Sequence, residues 1–135
     1  GCRALDRLPS MDSASCLQDL DLSQCTRLQS LQGIASFPKL RRLVLHRCVS
    51  LADISPLGGA ACLEVLDLSG CAGICDVSPL GSCASLRELD ARLCRGLRDI
   101  SPLARCLELR VLRISGCADI SNVAELSKCP KLETL

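Results

Sequence analysis

Leucines recur along the chain at a fixed interval of 23 residues. One column of them runs through the sequence with no insertion or deletion between its members: Leu17, Leu40, Leu63, Leu86, Leu109 and Leu132. A period of this length is typical of stacked supersecondary units, each of which buries its apolar face only against its neighbours. The pattern therefore predicts a solenoid whose core extends along one axis.

The first half of each unit has the alternation of a short strand. Leu66 and Leu68 are predicted to point inward, while Asp67 between them points outward. The second half contains a Ser-Pro pair, as at Ser55 and Pro56, which predicts a serine N-cap followed by a short helix or a 3-10 turn. The leucines after this start should face the strand layer: Leu57, Leu80, Leu103 and Leu126.

The predicted fold is an α/β right-handed solenoid, because parallel strands need a crossover of about a dozen residues and the repeat accommodates one. We expect one array over residues 1–135. Its divisions are a partial repeat 1–16, complete repeats 17–39, 40–62, 63–85, 86–108 and 109–131, and a partial repeat 132–135. Neither end supplies the polar cap that such arrays need, so we expect a segment of a longer array.

Twelve cysteines could indicate disulfides, a metal site or reduced structural thiols. Six recur at the repeat interval and predict a ladder: Cys2, Cys25, Cys48, Cys71, Cys94 and Cys117. Cys83, Cys106 and Cys129 share a position with small or apolar residues, which predicts burial, whereas Cys16, Cys62 and Cys75 are predicted to be exposed. Parallel neighbouring side chains disfavour disulfides, and zinc needs four converging ligands. We therefore favour structural thiols in a reducing, intracellular and cytoplasmic compartment, with no metal or cofactor.

Function is expected where repeats differ on the outward positions of the strands. The third-position row reads Asp19, Arg42, Val65, Glu88, Val111 and Thr134; the fifth reads Asp21, Val44, Asp67, Asp90 and Arg113; the seventh reads Ser23, His46, Ser69, Arg92 and Ser115. Serine is the default at the seventh position, so His46 and Arg92 stand out. Charge is uneven along the array, with a basic second repeat, an acidic third repeat and arginine-rich fourth and fifth repeats.

A face of alternating charge with scattered valines predicts a docking surface for a protein partner, because arginine binds carboxylates and also offers apolar area. The predicted partner-binding residues are Arg42, Val44, His46, Arg47, Val65, Asp67, Asp90, Arg92, Val111 and Arg113. Solvation of a polar surface is the alternative explanation of each arginine.

Catalysis is not expected, and neither is a small-molecule substrate. Asp67 and Asp90 should be neighbours, as in an acid–base pair, but aspartate is the repeat default there and an open sheet has no pocket. His46 has no nearby serine or cysteine with an obvious oxyanion site, so it is interpreted as a surface contact. Ser69 and Ser115 precede glycines and are interpreted as corner residues.

A ribonucleoprotein role is a further hypothesis, because seven arginines lie close together in sequence: Arg87, Arg92, Arg95, Arg98, Arg105, Arg110 and Arg113. Acidic residues are interspersed, no aromatic residue is available there for base stacking, and the net charge is only +1. The sequence also contains no apolar run of membrane-spanning length and no signal-peptide pattern.

One irregular strand makes a local prediction. Ala91 stands where other repeats have an inward leucine, and Leu93 follows two residues later. We expect Leu93 to turn inward and fill the space left by Ala91.

The strand motif, with Leu86, Leu89, Cys94 and Leu97 and their repeats, resembles that of leucine-rich repeat proteins over the whole chain. The D-I-S-P-L segment at 53–57 is similar to the return segment of bacterial internalins, and the cysteine ladder resembles the class found beside F-box domains. Trypanosomatid repeat proteins combine both features. The resemblance implies a parallel concave sheet, a scaffold or adaptor function and, as an alternative, the substrate-binding arm of a ubiquitin ligase.

Overall fold

A computed structural model describes residues 2–8 and 16–135. Five short parallel strands form one sheet in sequence order: β1 (Asp19–Asp21), β2 (Arg42–Val44), β3 (Val65–Asp67), β4 (Glu88–Asp90) and β5 (Val111–Arg113). Every paired residue lies 23 positions from its partner, as Leu43 pairs with Leu66 and Leu66 with Leu89. The repeat interval therefore sets the register of the sheet directly.

Each return segment contains a 3-10 helix, and the described residues form no α-helix. These helices are η1 (Ile34–Ser36), η2 (Ser55–Gly59), η3 (Ser78–Ser82), η4 (Ser101–Arg105) and η5 (Ala124–Lys128). The predicted inward leucines of η2 to η5 are buried, as expected. The core thus lies between a layer of strands and a layer of 3-10 helices.

The predicted serine N-caps are wrong. Ile54, Val77 and Ile100 occupy the N-cap positions of η2, η3 and η4, and no side chain caps these helices from there. The aspartate one residue earlier supplies the contact instead, since Asp53 Oδ1 accepts the backbone N–H of Ser55 at 2.8 Å. This Asx-turn stabilises the helix start from outside it.

Two columns of buried cysteines run through the core. The first contains Cys25, Cys48, Cys71, Cys94 and Cys117, and the second contains Cys83, Cys106 and Cys129. The Cys71 thiol donates to the Leu45 carbonyl at 3.1 Å, and the Cys83 thiol to the Leu57 carbonyl at 3.3 Å. Each of these carbonyls also accepts the backbone N–H of the residue three positions later. The thiol therefore donates to the second lone pair of the carbonyl oxygen.

Cys2 was predicted to be a rung of the ladder, and this prediction is wrong because Cys2 is exposed. The predicted exposure of Cys16, Cys62 and Cys75 is confirmed. All twelve cysteines are free thiols.

The prediction that Leu93 fills the space beside Ala91 is also wrong. Leu93 is 52% exposed and has φ 61°, a left-handed conformation that is unfavourable for a bulky residue. Its side chain lies over Gly116 in the next repeat, where a Cβ would come within 2.6 Å of Leu93 Cδ2. Ala91 itself is fully buried.

Candidate functional site

The outward side chains of β1 to β5 form one face of the sheet, which we call the strand face. Its third-position and fifth-position rows are defined by the strand pairing, for example Val65 beside Glu88 and Asp67 beside Asp90. Of the ten predicted partner-binding residues, Arg47 alone lies outside the three rows, in the turn that follows Val44, Leu45 and His46. Seven of the other nine lie on the strands, and His46 and Arg92 continue the same face at the seventh position, directly after β2 and β4.

Aspartates at the fifth position end the strands by Asx-turns. Asp21 and Asp67 each accept the backbone N–H of the serine two residues later at 2.8 Å, and Asp90 accepts that of Arg92 at 3.1 Å. Because the carboxylate occupies an N–H that would otherwise continue the ladder, the chain turns at that point. These outward aspartates therefore belong to the repeat framework as well as to its surface.

A hydrogen-bonded chain crosses β2 and β3 at the seventh-position row. Ser69 Oγ donates to Asp67 Oδ1 at 2.5 Å, and His46 Nδ1 lies 2.7 Å from Ser69 Oγ. Since the Ser69 proton is directed at Asp67, we assign Nδ1 of His46 as the donor to Ser69. Ser69 is therefore a serine directly beside His46.

The order of this chain differs from that of a nucleophilic triad. In a triad the imidazole lies between the hydroxyl and the carboxylate and takes the hydroxyl proton. Here Ser69 lies in the middle, is only 5% exposed and gives its proton to Asp67. The arrangement fixes the His46 ring and leaves its Nε2 as the free polar atom of the group.

Asp90, the last residue of β4, forms an ion pair with Arg92 two residues later. Arg92 Nε lies 3.0 Å from both carboxylate oxygens of Asp90, and Nη2 lies 2.7 Å from Oδ2. Burial alone would raise the pKa of Asp90, but the hydrogen bonds and charge of Arg92 outweigh it and the pKa is lowered. Asp90 therefore lacks the raised pKa that an acid–base pair with Asp67 would require.

Apolar and polar residues alternate over the strand face. Val44, Val65 and Val111 are each partly exposed among the charged positions. A shallow depression of about 360 Å³ lies at the seventh-position end of the face, lined by His46, Ser69, Arg92, Leu93, Ser115 and Gly116. The face thus offers apolar contacts close to fixed polar groups.

Five of the seven clustered arginines are in ion pairs. Their partners are Glu64 for Arg87, Asp90 for Arg92, Asp119 for Arg98, Glu133 for Arg110 and, at 3.9 Å, Glu88 for Arg113. Acidic partners reduce the field that would attract a polyanion. These five arginines therefore offer less positive charge to a phosphate backbone than their number in the sequence indicates.

Within the described ranges, no group of three or more histidines, cysteines, aspartates or glutamates is placed to hold a metal ion. In the same residues, no helix has the length and apolar character needed to cross a membrane.

The parallel sheet, the 3-10 return segments and the stacked thiols give the chain the leucine-rich repeat fold. It is a right-handed solenoid with the strand face on its concave side. Internalin C2 from Listeria monocytogenes is similar in structure, with a TM-score of 0.76 and 25% identity over 92% of this chain and 53% of that one. This chain therefore spans about half the length of that neighbour.

Two further solved structures share the fold. InlJ from Listeria monocytogenes, whose functional domain is described as including a cysteine ladder, has a TM-score of 0.60 and 18% identity over 86% of this chain and 26% of that one. The ectodomain of the Arabidopsis thaliana receptor kinase GASSHO1/SCHENGEN3, solved with CASPARIAN STRIP INTEGRITY FACTOR 2, has a TM-score of 0.51 and 18% identity over 95% and 19% of the two chains. Comparison with protein-family models and with curated protein sequences gave no match.

Proposed function

We propose that the protein is a non-catalytic scaffold or adaptor that binds another protein through its strand face. The observation that carries this proposal is the continuous outward surface of five in-register strands, which takes no part in the core. Apart from the aspartates that end the strands, the side chains of this surface can vary without disturbing the core. Its partly exposed valines and fixed charges are the mixture that protein interfaces use.

The fixed charges favour specificity. Arg92 is already bound to Asp90, and His46 is bound through Ser69 to Asp67, so these side chains lose little further freedom when a partner docks. Preorganised polar groups beside apolar contacts allow a partner to be selected without a deep pocket. This supports docking of a protein surface.

The structural neighbours support the proposal at the level of the fold. The GASSHO1/SCHENGEN3 ectodomain is a leucine-rich repeat structure in complex with another molecule, CASPARIAN STRIP INTEGRITY FACTOR 2. We extend only the general mode, a repeat solenoid that binds a partner, to this chain. Ser69 lies between His46 and Asp67, which is not the order of a nucleophilic triad. This supports the non-catalytic part of the proposal.

A reducing, intracellular compartment is part of the proposal. Eight cysteines are buried as free thiols, and seven of them donate hydrogen bonds to backbone carbonyls in positions that a disulfide would disrupt: Cys48, Cys71, Cys83, Cys94, Cys106, Cys117 and Cys129. Reduced thiols of this kind persist where glutathione and thioredoxin act.

The test places a photo-crosslinking amino acid at Val65 on the strand face and, as a matched control, at Ser101 on η4. Both proteins are irradiated in native extract, and the adducts are identified by mass spectrometry. We expect a discrete protein adduct from Val65 that excess unlabelled protein suppresses, and none from Ser101. Equal adducts from the two positions, or none from Val65, would reject the proposal. Loss of the adduct after nuclease treatment would favour the ribonucleoprotein role instead.

A further inference from the structure

The two edges of the strand face differ in how many of their charged side chains form ion pairs within the protein. At the strand-start edge, formed by the residues just before and at the beginning of each strand, opposite charges alternate and pair across repeats. Glu64 contacts both Arg41 and Arg87, Arg110 contacts Glu133 at 3.1 Å, and Lys131 contacts Glu108 at 2.5 Å. Most charges at this edge are therefore paired with one another, and among the described residues Lys39 and Arg42 are the cations without an ion pair.

The opposite edge, which we call the turn edge, begins at the seventh position of each repeat and extends over the next four residues. Its positively charged or titratable basic residues are Arg27, His46, Arg47, Arg92 and Arg95, and its one acidic residue is Asp119. Asp119 is already paired with Arg98. Among the described residues, no carboxylate lies within ion-pair distance of Arg27, Arg47 or Arg95, so positive charge at this edge is not neutralised by the protein itself.

Large apolar side chains are exposed at the same edge. Val49 is 51% exposed and Leu93 is 52% exposed. Leu93 also occupies a left-handed backbone position, where a residue with a side chain costs about 1–2 kcal/mol and where Gly70 and Gly116 stand in neighbouring repeats. A strained and exposed leucine at a position that suits glycine stabilises neither the turn nor the core.

Three of the turn-edge side chains, those of His46, Arg92 and Leu93, line the depression on the strand face. Leu93 and Arg92 line one side of it and His46 lies on the other, with the buried Ser69 at its base. Repeat 3 contributes only small residues to the turn edge here, namely Gly70, Ala72 and Gly73. A partner chain can therefore approach the backbone between the larger side chains of repeats 2 and 4.

We propose that the turn edge binds an acidic segment of the protein partner, with an apolar side chain of that segment against Leu93 and carboxylates facing Arg47, Arg92 and Arg95. This inference rests on the proposed function and specifies the chemistry of its partner. Charge complementarity argues for an acidic occupant, because Arg27, Arg47 and Arg95 lie unpaired at this edge and its one carboxylate, Asp119, is already bound to Arg98. The exposed leucine argues for an apolar residue within the same segment.

The test uses a fluorescein-labelled peptide of glutamates around two leucines, and its binding to the whole protein is measured by fluorescence anisotropy. Two matched peptides replace the glutamates by glutamine or the leucines by serine. We expect the acidic peptide to bind about fivefold more tightly than its glutamine form, with a difference that shrinks as salt is added. Serine in place of leucine should weaken binding by a further factor of about three to five. Equal binding of the acidic and glutamine peptides would overturn the proposal.

Variants of the protein localise the contact. The double variant Arg47→Glu with Arg95→Glu should lose about tenfold in affinity, and Leu93→Gly about threefold. Arg105→Glu and Leu107→Ala are the controls, since Arg105 lies on η4 without an ion pair and Leu107 is 56% exposed away from the turn edge. Each control should change affinity by less than about twofold. Controls that weaken binding as much as the turn-edge variants would overturn the proposal.

Competition and crosslinking separate this inference from the proposed function. A single-stranded RNA oligonucleotide that binds the same edge more tightly than the peptide, and independently of Leu93, would overturn the acidic-segment proposal. If the Val65 adduct persists unchanged in the Arg47→Glu, Arg95→Glu protein, the turn edge is not the contact but the strand-face scaffold stands. If the acidic peptide binds as expected and Val65 gives no adduct, the strand-face proposal fails on its own.

Discussion

At the scale of single residues, the cysteine columns show how a small side chain serves both the core and the backbone. Cys71 is fully buried among leucines, yet its thiol reaches the Leu45 carbonyl of the previous repeat. A thiol is a weak donor and a compact hydrophobic group, so it fills the corner without leaving a polar atom unpaired. Among the described residues, no buried side-chain nitrogen or oxygen lacks a hydrogen-bond partner.

The variant Cys71→Ala should lower the free energy of unfolding by about 1–2 kcal/mol, because it removes one weak hydrogen bond and leaves a small cavity. Cys75→Ala is the matched control, since Cys75 is exposed in the same repeat and should change stability by less than about 0.5 kcal/mol. Urea denaturation followed by circular dichroism measures both values. Equal effects of the two variants would show that the buried thiol contributes nothing specific.

At the scale of elements, the same local device starts the 3-10 helices and ends the strands. An aspartate accepts the backbone N–H two residues later, at Asp76 before η3 and at Asp67 after β3. Asn122 does the same before η5, where its Oδ1 accepts the Ala124 N–H at 2.9 Å. The acceptor oxygen is therefore the common requirement, and the negative charge is not.

The variant Asp76→Ala should destabilise the protein by about 0.5–1 kcal/mol, whereas Asp76→Asn should retain most of that stability. The Ser78 hydroxyl and then its backbone N–H lower the pKa of Asp76 in the folded protein. A lowered folded pKa means that the carboxylate contributes stability above its unfolded pKa of about 3.9 and loses it as the pH falls through the folded value. The gap between wild type and Asp76→Ala should therefore narrow below about pH 4 in denaturation experiments, and a gap that widens there would contradict this account.

At the scale of the whole molecule, stability is linked to the protonation of the buried thiols. Burial raises the pKa of Cys71, Cys94 and Cys106 to about 12 and that of Cys48 and Cys83 to about 11. In the unfolded chain these thiols ionise near pH 8.5. A raised folded pKa contributes stability that is complete below the unfolded pKa and is lost as the pH rises through the folded pKa.

We therefore expect the protein to lose stability steeply above about pH 9, by up to about 1.4 kcal/mol per pH unit for each buried thiol. The sequence contains no tyrosine, so phenol ionisation cannot contribute to this loss. Urea denaturation at a series of pH values under reducing conditions, from neutral to about pH 10.5, measures it. A midpoint that stays constant over this range would show that the thiols do not remain neutral in the folded state.

The sequence alone determined the solenoid, the register of its sheet and most of the cysteine ladder. Its uninterrupted 23-residue interval places equivalent residues side by side on neighbouring strands. The interval alone therefore determines the neighbours of Val65 and Asp67 in the sheet. The Asx-turns also left a signal, because an aspartate stands two residues before a serine in one half of several repeats, as at Asp21 and Asp53, and in both halves of repeat 63–85. The prediction of serine N-caps did not use this signal and assigned the cap to the serine in place of the aspartate.

Tertiary structure decided the contacts that join different repeats at atomic distance. The period aligns His46 with Ser69, but the side-chain conformations decide which atoms meet. Ser69 Oγ donates a hydrogen bond to Asp67 and lies beside His46 Nδ1. Leu93 is exposed, and the turn holds its backbone in a left-handed conformation. The consensus sequence of the repeat does not reveal the direction of this side chain. Periodicity encodes which residues are adjacent, whereas side-chain direction and burial depend on the whole set of surrounding atoms.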